Sequence, residues 1–435
     1  MTIDHRSASA SLARLLDARS GEELLARLAP KHHERPPRVP GGTGVDDADL
    51  ERRWGVLRHA GGARAQLLDA ATAATAAAYA RNIENFVGTV RVPVGVAGPL
   101  RVNGTHAQGD YYVPLATTEA ALVASYHRGA LLLSEAGGCA AALMHEGVVR
   151  APGFAFGTLH EAGQFVAWVV GEIEELRRVA EATSRYARLR DMRVNLEGNH
   201  VYLIFEYTTG DAAGQNMVTI ATQAICELIE ERSPVRARHA FVEANHSGDK
   251  KASAQSFLGG RGRSVTCEAV IPAALVERRL GATPERMAQY WAMSAMGGVL
   301  SGTIGVQGHY ANGLAAVYMA CGQDVACVAE SAVGVTRYEI ADDGALYASV
   351  TLPNLVVGTV GGGTSLPTQR ACLDLLGLSG AGNANAFAEV CAALALAGEL
   401  SIVGALVAGD FTRAHQRLAR APRTDDSAPA ADGRA

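Results

Sequence analysis

Three features are scarce in this 435-residue sequence. Basic residues are not in excess, since 39 Lys and Arg against 44 Asp and Glu give a net charge of -5, so we expect no nucleic-acid partner. Seven cysteines form no Cys-x-x-Cys pair, which argues against a zinc site and a disulfide framework. Uncharged apolar runs of the length that spans a membrane, and a signal peptide, are also missing. We therefore expect a soluble, cytoplasmic protein that binds no membrane and no metal.

The length predicts more than one structural unit. Residues 1–60 suggest an N-terminal arm, because one amphipathic helix, "SLARLLDARSGEELLARLA", is followed by a Pro- and Gly-rich loop. Residues 61–150 and 246–400 are assigned to one large mixed α/β domain, and residues 401–420 to a C-terminal helical segment. Residues 421–435 contain few large apolar side chains, which predicts a disordered tail.

An inserted domain is expected over residues 151–245. "GFAFGTLH" predicts a strand, "EAGQFVAWVVGEIEELRRVAEATSR" one helix, and "ARLRDMRVNLEGNHVYLIFEYTT" two strands joined at "EGNH". "AAGQNMVTIATQAICELIEE" predicts a second helix that leads into the strand "ARHAFVEA". The order βαββαβ is that of ferredoxin-like domains. The predicted fold class is therefore α+β, a large mixed domain carrying an inserted ferredoxin-like domain.

Two stretches of small residues suggest places where a ligand or a backbone approaches closely. In "TTGDAAGQN", Asp211 is expected to cap the next helix, which leaves Gln215 and Asn216 without a role. An aspartate at that helix end disfavours phosphate and suits a neutral hydrogen-bonding group such as a carboxamide or ribose. The stretch "VVGTVGGGTSLPTQ" lacks the spacing of a dinucleotide fingerprint, but its glycines imply a close backbone approach.

Two charged residues have both a structural and a functional interpretation. Glu119 in "VPLATTEAALVAS" is expected in the first turn of a helix, with Thr117 or Thr118 as a cap, where an acid also favours the helix dipole. Lys250 and Lys251 in "SGDKKASAQ" are either a solvated surface pair or part of a site, because the small residues around them leave room for a ligand.

An acid and a histidine complete this group. Asp324 interrupts the apolar run "AAVYMACGQDVACVAESAV" and must be paired, capping or catalytic. His415 is expected on a polar C-terminal helix, where a lone histidine has no necessary role. Two carboxylates, a lysine and a histidine could form an acid/base set, and no metal-binding spacing such as HExxH accompanies them.

A resemblance joins these motifs. In order, "ENFVGTVRVPVGVAGPL", "VPLATTEAALVAS", "TGDAAGQNMVTIAT", "SGDKK", "GQD" and "GTVGGGTSLPTQRACLDLLG" resemble the catalytic part of 3-hydroxy-3-methylglutaryl-CoA (HMG-CoA) reductase, from about residue 50 to 418. The resemblance implies reduction of HMG-CoA to mevalonate and free CoA with two NADPH, in the mevalonate pathway of isoprenoid biosynthesis. It also implies a homo-oligomer, a dimer or tetramer, whose active sites are shared between subunits.

The family's catalytic residues match four positions, namely Glu119, Lys250, Asp324 and His415. By resemblance, Lys250 stabilises the oxyanion formed when hydride attacks the thioester, Glu119 supplies protons, and His415 protonates the departing CoA thiolate. The neighbouring Lys250 and Asp324 would hold the pKa of Glu119 in a useful range.

Cofactor and substrate residues follow from the same resemblance. The positions that match NADPH-binding ones are Ser184, Arg185, Asp211, Gly214, Gln215, Asn216, Val360 and Gly361. The positions that match the hydroxymethylglutaryl side are Arg128, Asn245, Asp249, Lys251 and Asn312, and those on the CoA side are Glu84, Asn85 and His309. An arginine at position 185 favours NADPH because it can pair with the 2′-phosphate.

Two departures from the family and two rival functions stay open. The family's "DAMGMN" reads "DAAGQN", and Glu243 occupies a position that is often serine. A different CoA-thioester enzyme would use a cysteine nucleophile, for which Cys321 and Cys327 are candidates. A catalytically inactive binding protein would need a change at one of the four catalytic positions, and all four are retained.

Overall fold

The structure is a computed structural model that describes residues 3–31, 36–57 and 62–409. The chain divides into two compact units, Met1–Thr89 and Val90–Ala435. His415 and the predicted tail over residues 421–435 lie outside the described residues, so the structure gives them no position.

Short helices make up the described part of the first unit: α1 (His5–Ala18), α2 (Gly21–Leu28), α3 (Asp47–Val56), α4 (Ala63–Leu67) and α5 (Ala70–Ala74), with a 3-10 turn at Ala76–Tyr79. The single amphipathic helix predicted near the N-terminus is wrong, because it divides into α1 and α2. Ser20 and Glu23 form a reciprocal capping box that begins a new helix. The buried guanidinium of Arg53 donates to the carbonyl oxygens of Gly44 and Phe86 and so fixes the loops around α3.

Over residues 90–409, ten strands form one hydrogen-bonded sheet: β1 (Val94–Gly104), β2 (Gln108–Ala116), β3 (Cys139–Arg150), β4 (Gly153–Ala155), β5 (Arg188–Glu197), β6 (His200–Thr208), β7 (His239–Phe241), β8 (Gly262–Ile271), β9 (Val335–Ile340) and β10 (Leu346–Leu355). The spatial order is β7-β4-β6-β3-β8-β10-β9, with β1 also on β3, β2 on β1 and β5 on β6. All pairs of these strands are antiparallel except β1 with β3.

Eleven helices accompany these strands within the described residues: α6 (Leu122–Glu135), α7 (Leu159–Val169), α8 (Ile173–Ala182), α9 (Gln215–Arg232), α10 (Gln255–Leu258), α11 (Ala273–Leu280), α12 (Pro284–Ser301), α13 (Tyr310–Ala320), α14 (Val328–Ser331), α15 (Pro367–Leu376) and α16 (Ala384–Ala408). Three 3-10 turns lie at Val170–Glu172, Val325–Cys327 and Gly362–Ser365. Helices and a largely antiparallel sheet in one unit confirm the predicted α+β class.

β3 joins two parts of the sheet. Its first residues pair with β1 and β8, and Val148–Arg150 pair with β6. Beyond β3 the chain runs β4, α7, α8, β5, β6, α9 and β7, which is the element order of a split βαβ fold. The single helix predicted after β4 is wrong, since the turn around Gly171 separates α7 from α8. Glycine is a weak helix former, which explains a break at this position.

α16 is the central helix of the larger hydrophobic core. It is long and apolar enough to cross a membrane, but 89% of its most apolar window is buried inside the protein, as in a core helix. The helix ends where Gly409 adopts a left-handed conformation (φ 73°), which glycine accepts without strain.

A buried carboxylate on α16 holds the β1–β2 hairpin. Glu389 accepts hydrogen bonds from the backbone amides of Thr105 (3.1 Å), His106 (2.9 Å) and Ala107 (2.7 Å). A buried charge is costly unless it is fully hydrogen-bonded, and these amides meet that demand. The hairpin turn is thereby tied to the core helix.

α6 and α16 cross in close contact. A Cβ at Gly129 would overlap the carbonyl oxygen of Ala397, and a Cβ at Gly398 would overlap the ring of Tyr126. The crossing therefore depends on residues without side chains at these positions.

We predict that Gly129→Ala lowers the free energy of unfolding by about 1–3 kcal/mol, because the added methyl group must separate two packed helices. Gly163→Ala in α7 is the matched control, since no atom lies within 4 Å of a Cβ there. That control should stabilise the protein by about 0.5–1 kcal/mol through helix propensity. Thermal unfolding midpoints measure both effects, and equal shifts for the two variants would contradict the proposed close packing.

Candidate active site

Lys250 and Asp324 form an ion pair. Lys250 Nζ lies 2.8 Å from Asp324 Oδ2, with the two side chains 43% and 39% exposed. Asp324 also caps the 3-10 turn at Val325–Cys327 by accepting the backbone amide of Ala326 at 3.0 Å. Asp324 is therefore paired and capping, as its position in an apolar run required, yet it is open to solvent.

Each partner stabilises the charged form of the other. Burial raises the pKa of Asp324, but the hydrogen bond from Lys250, the amide of Ala326 and the amide group of Gln215 together bring it below its ordinary value. The hydrogen bond to Asp324 raises the pKa of Lys250. Both groups are consequently charged throughout the neutral pH range. A solvent-accessible ammonium in this state can stabilise a developing oxyanion.

A buried ion pair supports the Lys250 backbone. Arg261 is 1% exposed, and its Nε lies 2.8 Å from Glu330 Oε2 in a side chain that is 0% exposed. Glu330 Oε1 also accepts the backbone amide of Lys250 at 3.2 Å. Lys250 has a φ of 57°, a left-handed conformation that lysine rarely adopts. The bond from its amide to a buried carboxylate helps to hold this conformation, which presents Lys250 to Asp324.

Asp249 links this ion pair to Arg150 at the end of β3. Its carboxylate lies 2.6 Å from Arg261 Nη2 and 3.0 Å from Arg150 Nη1. Glu243 lies 3.3 Å from the same Arg150 nitrogen and accepts the backbone amide of Asn245 at 2.8 Å. Arg150 is therefore shared between the carboxylates of Glu243 and Asp249.

Glu119 lies in the connection between β2 and α6 and not in a helix, so the expected first-turn position is wrong. α6 begins at Leu122, after Ala121 in a left-handed conformation, and no side chain caps it. Thr117 Oγ1 instead accepts the amide of Glu119 at 3.0 Å. Asn312 Nδ2 lies 3.4 and 3.3 Å from the two carboxylate oxygens of Glu119. The structure thus brings together two of the predicted site residues.

Two predicted pairs lie toward opposite ends of α13. Asn312 is in its first turn, and Asp324 follows its C-terminal end. Within the described residues, no hydrogen bond or ion pair joins Glu119 to Lys250 or Asp324. The fourth predicted catalytic residue, His415, lies outside the described residues.

Asp211 does not cap α9, which corrects the sequence-based prediction. α9 begins after Gly214 in a left-handed conformation and has no side-chain cap. The carboxylate of Asp211 instead accepts the backbone amides of Gly382 (2.8 Å) and Ala384 (3.1 Å) at the start of α16. The free amides of a helix N-terminus favour an anion, and the long helix α16 supplies them here. Asn216 is exposed in the first turn of α9.

The glycine-rich stretch contacts the backbone of two other segments. A Cβ at Gly358 would overlap Ala213, and a Cβ at Gly363 would overlap the carbonyl of Gly322. The expected close approach is therefore made by the protein itself at these two glycines. Gly361, beside Val360, differs because no atom lies within 4 Å of a Cβ built there. That part of the stretch leaves space for a ligand.

Ser184 and Arg185 lie between α8 and β5. Ser184 Oγ accepts the backbone amides of Tyr186 (3.1 Å) and Ala187 (3.4 Å) and so fixes the turn. The Arg185 guanidinium is exposed and stands 5.8 Å from the ring centre of Tyr186. An exposed cation held by a structured turn can bind an anionic group from solvent.

Several predicted substrate residues are engaged within the protein. Arg128 donates to the backbone oxygen of Ser401 (2.8 Å) and to its hydroxyl (2.9 and 3.1 Å). Lys251 Nζ donates to the backbone oxygen of Asp249 at 2.7 Å. Asn245 has a left-handed backbone (φ 63°). The Arg128 and Lys251 side chains therefore each have a hydrogen-bond partner within the protein.

His309 is held by a second buried glutamate of α16. Glu399 accepts the backbone amides of Gly308 and His309, each at 2.8 Å, and its Oε1 lies 3.4 Å from His309 Nδ1. The imidazole stacks on Tyr126 with ring centres 5.3 Å apart. His309 Nε2 has no hydrogen-bond partner within the described residues. The ring is therefore oriented by the core, and its buried Nε2 is left unpaired.

Glu84 and Asn85 belong to the first unit. Glu84 is exposed, and Asn85 has a left-handed backbone (φ 54°). The Asn85 side chain accepts the amide of Gly42 at 3.0 Å, so its place in that unit is defined.

Sequence reasoning missed Arg261, Glu330, Arg150 and Glu399. Glu330 interrupts the same apolar run as Asp324, and of the two it is the buried one. Composition also draws attention to the site, because the sequence contains three lysines and two of them are Lys250 and Lys251. In the part of the chain that the structure describes, no cluster of His, Cys, Asp and Glu could hold a metal ion.

Comparisons with known proteins agree on one family. The model of the hydroxymethylglutaryl-coenzyme A reductase family matches residues 49–420. The chain is 44% identical to 3-hydroxy-3-methylglutaryl-coenzyme A reductase of Pyrococcus horikoshii, over 78% of this chain and 84% of that protein. It is 45% identical to the enzyme of the same name from Aeropyrum pernix, over 79% of this chain and 82% of that protein.

The solved structures show likeness in fold. The class II 3-hydroxy-3-methylglutaryl-CoA reductase from Streptococcus pneumoniae bound to NADPH superposes with a TM-score of 0.63 at 20% identity, covering 78% of this chain and 94% of that chain. The sequence relatives and the family model together decide the assignment: this chain belongs to the hydroxymethylglutaryl-CoA reductase family.

Proposed function

We propose that this protein reduces the thioester of HMG-CoA to mevalonate and releases free CoA, with two NADPH as reductants, in the mevalonate pathway. The observation that carries the proposal is the solvent-accessible ion pair between Lys250 and Asp324 in a chain of this family. The buried ion pair between Arg261 and Glu330 lies directly behind it. Reduction of a thioester to an alcohol needs two hydrides, and NADPH supplies them when bound.

Lys250 is the proposed electrophilic residue. Hydride addition to a thioester carbonyl places negative charge on its oxygen, and a fixed cation lowers the energy of that state. Asp324 keeps the ammonium charged and in place. Glu119 is proposed to supply protons to the oxygen, and His415 to protonate the CoA thiolate as the carbon–sulfur bond breaks.

Three observations support the assignment of the cofactor residues. Asn216 is exposed at the start of α9, and Arg185 is exposed on its turn. Space remains around a Cβ position at Gly361. We assign the adenosine 2′-phosphate to Arg185, and the neighbouring cofactor contacts to Ser184, Gly214 and Val360. Residues 151–245 would then be the NADPH-binding domain.

The substrate residues are assigned by their chemistry. Arg128, Asn245, Asp249, Lys251 and Asn312 are proposed to hold the hydroxymethylglutaryl portion within the domain of residues 61–150 and 246–400. Glu84, Asn85 and His309 are proposed to contact CoA. The support for His309 is that its buried Nε2 has no hydrogen-bond partner within the described residues.

We also propose a cytoplasmic homo-oligomer, dimer or tetramer. α12 exposes large apolar side chains to solvent, among them Met293, Met296 and Leu300. A row of exposed apolar residues on one helix favours burial against another protein surface. A second copy of this chain is the partner that the family membership supports.

We predict that the purified protein oxidises two NADPH for each CoA released from HMG-CoA. Lys250→Ala should lower kcat by about 100-fold or more, since removal of one oxyanion donor has an effect of that order. Lys31→Ala is the matched control, because Lys31 is an exposed lysine of the first unit and should leave kcat unchanged. Loss of reduced-nicotinamide absorbance, coupled to thiol release, measures both; a folded protein that consumes neither NADPH nor NADH would refute the proposal.

Arg185→Ala should raise the KM for NADPH by about 10- to 100-fold and leave that for NADH unchanged, because only NADPH carries the 2′-phosphate. Arg178→Ala is the control; Arg178 is an exposed arginine of α8 paired with Glu175. Initial-rate kinetics with both cofactors decide the assignment. An equal effect on the two cofactors would remove Arg185 from the 2′-phosphate site.

The cysteine-nucleophile alternative is disfavoured by the state of the two thiols. Burial is the largest cause that raises the pKa of Cys327, to about 12, and burial also raises the pKa of Cys321 well above its usual range. A thiol attacks only as the thiolate, and below such a pKa it stays protonated.

At pH 8, iodoacetamide should therefore leave Cys321 and Cys327 unmodified in the native protein, because both thiols are buried and protonated. Cys372, which is half-buried, is the internal control and should react first. Peptide mass spectrometry measures each site. Rapid modification of Cys327 at pH 8 would return the thiol mechanism to consideration.

A further inference from the structure

We propose that Gln215 is a positioning residue for the reduction, which joins the buried Arg261 to the Asp324 carboxylate and thereby holds the Lys250–Asp324 pair. This inference rests on the proposed function. It replaces the expectation that the Gln215 side chain binds NADPH, because the structure engages that side chain elsewhere.

The Gln215 amide contacts three residues. Its Nε2 lies 3.4 Å from Asp324 Oδ2 and 3.1 Å from Cys327 Sγ. Its Oε1 accepts a hydrogen bond from Arg261 Nη2 at 3.3 Å. Both ends of the amide are consequently bound within the protein.

The chemistry of the neighbours decides the orientation of this amide. A guanidinium only donates hydrogen bonds and an ionised carboxylate only accepts them. The amide oxygen must therefore face Arg261, and the NH2 group must face Asp324. A side chain that lacks either the acceptor or the donor cannot connect the two charges.

The backbone of Gln215 is fixed as well. Gln215 is the first residue of α9, and its carbonyl oxygen accepts from Arg150 Nη2 at 3.4 Å and from Thr219 Oγ1 at 2.9 Å. The side chain therefore starts from a held position, which is what a residue needs in order to position another.

Gln215 closes a ring of contacts around Lys250. Glu330 binds both the Lys250 amide and Arg261, Arg261 binds Gln215, and Gln215 binds Asp324, which binds Lys250 Nζ. The family motif "DAMGMN" places methionine at this position, and a thioether cannot donate a hydrogen bond. The polar link therefore depends on the glutamine at position 215.

A pH effect follows from the link. Asp324 faces the titratable groups of Lys250 and Cys327, and Asp249, Glu330 and Arg261 surround these two partners. Gln215 donates to the ionised form of Asp324, so its loss should raise the pKa of that carboxyl. The acid limb of the activity profile, where Asp324 takes up its proton, should then move to higher pH.

The test compares three variants with the unaltered protein. Gln215→Met should lower kcat about 3- to 10-fold near neutral pH, change the KM for NADPH less than about twofold, and move the acid limb up by about half a pH unit. Gln215→Glu should move that limb further, since a second carboxylate would lie beside Asp324. Gln223→Met, on an exposed turn of the same helix, is the matched control and should change none of these quantities.

Three outcomes would overturn the inference. One is a rise in the NADPH KM with an unmoved acid limb, which would make Gln215 a cofactor contact. Another is an unchanged profile in an active Gln215→Met variant. Independently of activity, a crystal structure of Gln215→Met with the Lys250–Asp324 separation still at 2.8 Å would also exclude it. Absence of turnover in the unaltered protein would instead refute the proposed function itself.

Discussion

The buried guanidinium of Arg261 is the interaction on which the site geometry depends. Two carboxylates and one amide stabilise this buried charge. They come from three separate segments: Asp249 from its loop, Gln215 from the start of α9 and Glu330 from the end of α14. Bringing those segments together places Lys250 beside Asp324. The value of such a buried network here lies in fixing one arrangement of loops, since buried ion pairs add little net stability.

Backbone contacts at glycine complete this arrangement. The segment around Asp211, the segment that ends in Asp324 and the glycine-rich stretch after β10 meet backbone to backbone. Thr359 donates its amide to the carbonyl oxygen of Asp211 at 2.9 Å, and Gly358 donates its amide to Gln323 Oε1 at 2.8 Å. A side chain at Gly322 or Gly358 would separate these segments, so the glycines serve the contact of loops as much as the contact of a ligand.

Local sequence patterns predicted many helices and strands of this protein. They could not predict contacts between residues that lie far apart in the chain. Alternating apolar residues predicted the strands β4, β5, β6 and β7 and the α+β class. The same sequence gave no sign that Asp211 would meet the amides of Gly382 and Ala384, because those residues lie far along the chain. Likewise, the apolar run that contains Asp324 and Glu330 contains two acids, and only packing against Arg261 decides which one is buried.

α16 shows how a core element can organise a site without contributing its chemistry. Its sequence is an apolar helix with two acids ten residues apart, Glu389 and Glu399, both buried. Each carboxylate accepts hydrogen bonds from the backbone amides of a different loop. Glu389 binds the β1–β2 hairpin, and Glu399 binds the residues that precede α13. Because Glu399 also lies against His309 Nδ1, the orientation of that imidazole is set from the core. The N-terminus of the same helix binds Asp211, so three loops of the second unit depend on the placement of one buried helix.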